Sequence, residues 1–140
     1  FAKEKGVNYA VNVGDDICKE NLINTNIVVP IDLIYLDPIE IELLLSIASK
    51  AKKCSIIVPS TRMDGTNLLI RKPFNLYETS YDNNSYFNHV QSSRKTSART
   101  LVVKSANLSK DLDTMDDYDS ITDRPMNRLS HLISRIQKIC

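Results

Sequence analysis

The sequence predicts an α/β fold, on two observations. Four short apolar runs, NIVVP at 26–30, CSIIVP at 54–59, NLLIR at 67–71 and TLVV at 100–103, are bounded by turn residues, as buried strands are. Segments with helical spacing of apolar residues and helix-capping signals lie between most of them, which is the alternation that builds a sheet covered by helices.

Each element follows from local chemistry. Residues 7–20 predict a weak helix with Val7, Ala10, Val11 and Cys18 along one face, at a cost of about 1 kcal/mol for the internal Gly14. Residues 21–26 form a polar turn before the first strand, and Asp32 stands just past that strand's end. The next helix begins at Asp37-Pro38. Asp37 suits the N-cap, Pro38 suits the first helical position, and Glu40 is placed to complete the cap. Ile41, Leu44, Leu45 and Ala48 then share a face, and Lys50, Lys52 and Lys53 favour the negative end of the helix dipole. Residues 60–66 form a loop between the second and third strands, and Lys72-Pro73 stops the third. A helix is predicted from about 84 to 93, with Phe87 and Val90 inward. An acidic turn at 110–114 leads to a short helix at 115–121. A final basic amphipathic helix spans about 125–138, with Leu129, Leu132, Ile133 and Ile136 packed on the core.

Composition narrows the function classes. At 140 residues the chain reads as one domain. A formal net charge of +1 offers no global attraction for nucleic acid or for a membrane, and no apolar run approaches the eighteen residues of a span. Cys18, Cys54 and Cys140 are odd in number and scattered, which suits a reducing, cytoplasmic setting better than a disulfide framework. Cys54 opens a strand and reads as a small core residue. His89 and His131 are far apart and have no Cys-x-x-Cys beside them, so a zinc site is not expected.

Several places carry side chains suited to chemistry. Asp32, past a strand end, either caps a turn or binds a hard cation. In KDLDTMDDYD, an extended 111–113 would put the Asp111 and Asp113 carboxylates on one side, where a cation between them offsets their repulsion. Oxygen-only ligands suit Mg²⁺. Thr114 reads as a helix N-cap, with Asp116 and Asp117 as first-turn acids. Gly65-Thr66-Asn67 is either a plain turn or an anion-holding loop of backbone N–H groups with a hydroxyl and an amide. Ser85 and His89, four apart on a helix, are either a capping serine with a half-buried histidine or an anion site at a helix start. His89, Arg94, Lys95, Arg99 and Lys104 occupy a window without acids that could steer an anionic substrate.

The order of these pieces resembles one family. VVPID, DPIEIELLLSIA, IIVPSTRMDGTNLLI, NNSYFNH and LSKDLDTMDDY follow one another as in the 2-phospho-L-lactate guanylyltransferase family of deazaflavin coenzyme F-420 biosynthesis. The resemblance covers about residues 6–121, beginning at Gly6-Val7-Asn8-Tyr9-Ala10-Val11. It implies a Rossmann-like nucleotidyltransferase core with a mostly parallel sheet flanked by helices. It also implies transfer of GMP from GTP to the phosphate of 2-phospholactate, phosphoenolpyruvate or 3-phosphoglycerate, with release of pyrophosphate. By the same resemblance Asp32, Asp111 and Asp113 hold catalytic Mg²⁺. Gly65, Thr66, Asn67, Ser85 and His89 bind the phosphorylated acid, and Asn8 belongs to the cofactor side. The expected partners are GTP and that acid, without nucleic acid or membrane, and a homodimer is left open.

Two positions depart from the family pattern: Asp82 replaces a glycine, and Leu33-Ile34-Tyr35 replaces a Pro-Leu type of turn. The family's opening strand and basic nucleotide loop have no counterpart ahead of Gly6. Residues 1–121 therefore read as an incomplete nucleotidyltransferase-like domain and 122–140 as a helix packed on it. The alternatives are a noncatalytic binding module of the same fold, or a related nucleotidyltransferase using another nucleotide.

Overall fold

The computed structural model describes residues 6–33 and 35–112. Their order is α1 (Gly6–Glu20), β1 (Asn26–Val28), α2 (Pro38–Ser49), β2 (Cys54–Pro59), β3 (Thr66–Lys72), α3 (Ser85–Arg94) and β4 (Arg99–Val102). The predicted helices at 115–121 and 125–138 lie outside the described residues, as do Asp113 and His131.

The expected mostly parallel sheet is corrected. The strands are ordered β1-β3-β2-β4, and β3 runs antiparallel to both β1 and β2. Among the described residues only the β2–β4 pair is parallel. The cause is the short loop at 60–65. A parallel crossover needs about a dozen residues, so this connection can only make a hairpin. Because β3 alone is reversed among the four described strands, β1, β2 and β4 still point the same way. Their carboxyl ends and the amino end of β3 meet at one edge of the sheet.

Side chains alternate across the sheet. Ile56, Val58, Leu68 and Ile70 face α2 and pack with Leu44, Ala48, Cys54 and Leu108. Ile57 and Leu69 face the other way, with Val90 of α3 and the rings of Tyr77, Tyr81 and Tyr86. Cys54 is a fully buried core residue, as expected, and burial pushes its thiol pKa up.

The helices are set by their ends. Asp37 caps α2 by accepting from the Ile39 N–H at 2.9 Å. Glu40 does not serve that cap as expected. Its carboxylate accepts from the Ser105 hydroxyl and, at 2.6 Å, from the Asn107 amide, which ties α2 to the segment after β4. Lys72 donates to the Ser49 carbonyl at 2.8 Å and closes the other end of α2. In α1, Ile23 N–H bonds to Cys18 O and Leu22 N–H to Lys19 O, the paired bonds of a Schellman end. Leu22 occupies the left-handed position there, at φ 55°.

Some inward assignments change. Phe87 is 55% exposed and Leu45 is 37% exposed, while Val90, Leu44 and Ala48 are buried. Val11 and Cys18 are the buried residues of α1, and Val7 is exposed. β1 is three residues long and only half buried, so Asp32 follows an edge strand rather than one covered on both faces.

Candidate functional site

The edge where the strand ends meet collects most of the predicted site residues. The loop after β2 is closed by its own hydrogen bonds. Ser60 N–H donates to the Gly65 carbonyl at 3.0 Å, and the Ser60 hydroxyl accepts from the Gly65 N–H at 3.0 Å while donating to Asp64 Oδ1 at 2.8 Å. That hydroxyl holds the Asp64 carboxyl below the usual carboxylate range. A Cβ at Gly65 would meet Ser60 Cβ and Oγ at 3.3 Å, so a side chain there would push on the loop's closing serine.

A bulge lies at the start of β3, where Val58 pairs with Leu68 and Pro59 with Thr66. The extra residue is Asn67. Strict alternation would put Thr66 on the α2 side with Leu68 and Ile70; the bulge resets the phase and lets Thr66 reach α3. Both residues are 4% exposed. Thr66 Oγ1 lies 2.9 Å from His89 Nδ1. The Asn67 amide nitrogen is buried and has no hydrogen-bond partner among the described residues. An unpaired buried donor costs about 1–3 kcal/mol.

Ser85 opens α3 and is 5% exposed. The next N–H, of Tyr86, donates to the Asp64 carbonyl at 3.2 Å and joins the helix start to the loop. Gly65, Thr66, Asn67 and Ser85 are thereby brought together. His89 stands behind them, fully buried, with its pKa pulled down to about 4 by burial and by the nearby Arg71 charge.

Asn8 is placed elsewhere. Its amide donates to Asp82 at 2.9 Å and accepts from the Tyr81 N–H at 2.8 Å, so it clamps the connection before α3. The Asp82 carboxylate is directed to that clamp.

Asp32 and Asp111 approach each other through the backbone. Leu33 bridges Asp111, and Leu112 N–H donates to the Asp32 carbonyl at 3.1 Å. Both side chains offer the oxygen donors that Mg²⁺ takes, but the bridge sets Asp111 opposite Leu33 and Asp32 opposite Leu112, so it does not itself bring the two carboxylates side by side. Among the described residues no group of three or more His, Cys, Asp or Glu could hold a metal, and Asp113 lies outside them.

A cavity of about 430 Å³ opens between the two loops, lined by Ser60, Thr61, Met63, Lys104, Asn107 and Lys110 among others. The Thr61 N–H and hydroxyl both donate to the Ser109 carbonyl at 2.8 Å and fix one wall. Lys110 Nζ lies 5.8 Å from the Tyr35 ring centroid.

Sequence reasoning missed the polar support behind the loop. Arg71 is 1% exposed and grips both Asp15 oxygens, at 2.7 and 2.9 Å, while donating to the Tyr77 carbonyl. The Tyr77 hydroxyl pairs with Ser55 at 2.7 Å, and burial pushes its pKa up to about 12. The available signal was the alternation Asn67–Leu69–Arg71, which gives one face of a buried strand two polar side chains in need of partners.

Comparison with known proteins gives a consistent picture. The family model described as "Guanylyl transferase CofC like" matches residues 2–127. A 2-phospho-L-lactate guanylyltransferase of Methanocaldococcus fervens is 32% identical over 120 residues, covering 85% of this chain and 52% of that protein. A phosphoenolpyruvate guanylyltransferase of Rubrobacter xylanophilus is 28% identical over 112 residues, covering 80% of this chain and 54% of that protein. The chain spans about half the length of the curated relatives it matches.

Proposed function

The chain belongs to the CofC-like guanylyl transferase family, and from that membership we propose that it serves transfer of GMP from GTP to the phosphate of a small phosphorylated acid. An oxygen of the acid's phosphate forms a bond to the α-phosphorus of GTP. The bond from that phosphorus to the α–β bridging oxygen breaks, and pyrophosphate leaves with the electron pair. A phosphate monoester is already anionic near neutral pH, so no general base is needed.

The observation that carries this reading is the pair of buried donors at the start of β3. Thr66 and the unpartnered Asn67 amide, beside the N–H groups of the 60–65 loop, suit a phosphate held for in-line attack. Ser85 adds a hydroxyl at a helix start, where the dipole favours an anion. Lys104 and Lys110 on the adjoining cavity attract both anionic substrates. Asp32 and Asp111, with Asp113, would hold Mg²⁺. When bound, that ion supplies charge neutralisation for the reacting phosphates. Phosphoenolpyruvate, 2-phospholactate and 3-phosphoglycerate are the acceptors to compare.

Calorimetric titration with GTP and with each acid, with and without Mg²⁺, tests the proposal. Metal-dependent, saturable GTP uptake together with uptake of one acid is expected. A folded chain that takes up none of them would refute it.

A further inference from the structure

The hydrogen bond between Thr66 and His89 has a definite direction. His89 Nε2 accepts from the Ser80 N–H at 3.1 Å. A ring nitrogen that accepts carries no proton, so the proton of the neutral imidazole sits on Nδ1. Nδ1 must then donate to Thr66 Oγ1, 2.9 Å away. With one lone pair filled from inside the protein, the Thr66 hydroxyl keeps its own proton for another acceptor.

We infer that His89 is a positioning residue, whose Nδ1–H turns the Thr66 hydroxyl so that its proton is offered to a phosphate oxygen. The inference rests on the reading of Thr66 as a phosphate contact. The ring is built in to hold this direction. Tyr81 packs edge-on at 4.7 Å between centroids, and Tyr77 lies at 6.3 Å. The charged and titratable groups facing it are Arg71 of β3, paired with Asp15 of α1, and the phenols of Tyr77 and Tyr81. Burial raises both phenols, so neither ionises near neutrality, and the imidazole stays uncharged there. The donor and acceptor roles do not exchange over the neutral range.

Two substitutions separate the ring's two bonds. In His89→Asn the amide nitrogen falls near the place of Nδ1 and keeps a donor for Thr66. In His89→Gln the amide oxygen reaches the place of Nε2, accepts from Ser80, and leaves Thr66 without its donor. Phosphoenolpyruvate binding by calorimetry is the readout, with Thr66→Val as reference and thermal unfolding as a check that each variant is folded. Thr66→Val and His89→Gln are each expected to weaken binding about tenfold, the loss of one hydrogen bond to a charged group. The double variant should be no weaker than Thr66→Val, and His89→Asn should stay within about threefold of wild type. Nitrogen-15 NMR of the ring should show the proton on Nδ1.

His89→Gln binding as tightly as wild type while Thr66→Val is weak would overturn the inference. So would multiplying losses in the double variant, or a ring proton on Nε2. A wild-type chain that takes up neither phosphoenolpyruvate nor inorganic phosphate, or a Thr66→Val variant unchanged in binding, would instead overturn the phosphate reading of Thr66 and the positioning role with it. The NMR result judges the donor direction independently.

Discussion

Asp15→Asn tests the polar support of the site most directly. The substitution keeps the side chain's shape and removes its charge. Arg71 has a side-chain exposure of 1%, and Asp15 of 19%. The guanidinium would keep the Tyr77 carbonyl and one amide oxygen but lose its charge partner, and its Nε–H already has no partner among the described residues. Breaking a buried pair by removing one member costs about 3–5 kcal/mol. Water reaches the Asp15 end, so the lower end applies, about 3 kcal/mol. Against a typical stability of about 5–15 kcal/mol this is a large fraction. It corresponds to a fall in Tm on the order of 10 °C for a chain of this size. Equilibrium urea unfolding measures it, with Asp16→Asn as an exposed neighbour on the same helix. A loss below about 1 kcal/mol, or one matching Asp16→Asn, would refute the claim that this pair anchors α1 to the sheet.

Other perturbations have equally definite expectations. Leu22→Gly should stabilise the chain by about 0.5–1 kcal/mol, because Leu22 holds φ 55° while 92% exposed and glycine adopts that conformation freely; a lower Tm would contradict the strain. His89 is pulled down from about 6.5 to about 4, so between those values the unfolded chain binds a proton that the folded chain excludes. Its contribution is whole above pH 6.5 and is lost as pH falls toward 4, about 3 kcal/mol in total; a His89→Asn variant with the same acid-side slope would show another group responsible. Asn67→Ala should leave stability within about 1 kcal/mol, since the donor removed has no partner among the described residues, yet weaken phosphoenolpyruvate binding about tenfold. Equal affinity in a calorimetric titration would remove Asn67 from the site.

The elements between Gly6 and Leu112 were legible because each is announced locally. Asp37-Pro38 marks the start of α2, and the largely apolar CSIIVP marks a strand buried on both faces. The sheet's mixed character was also legible, in the length of the 60–65 loop, but the alternation of strands and helices suggested parallel neighbours. Three strands do share a direction; what alternation does not encode is that β3 inserts between β1 and β2. For the site, residue types and order pointed to Thr66, Asn67 and Ser85, and the fold brings them to one edge. The role of Asn8 was not legible, because its partners Tyr81 and Asp82 are more than seventy residues away. Arg71 and Asp15 escaped notice for the same reason, being 56 residues apart.

The β2–β3 hairpin bears on how the molecule assembles. Its strands are adjacent in sequence, and their ladder from Cys54–Lys72 to Pro59–Thr66 is the longest in the sheet. Closing six residues costs little chain entropy, so this pairing can precede the more distant docking of β1 and β4. The candidate phosphate loop is the turn of that hairpin. It would be shaped at the nucleus of folding rather than fastened on afterwards, and its neighbours in β2 and β3 would open only with global unfolding. Amide exchange should therefore be slowest at Ile56, Ile57, Leu69 and Ile70 and faster in β1; the reverse order would place the nucleus elsewhere.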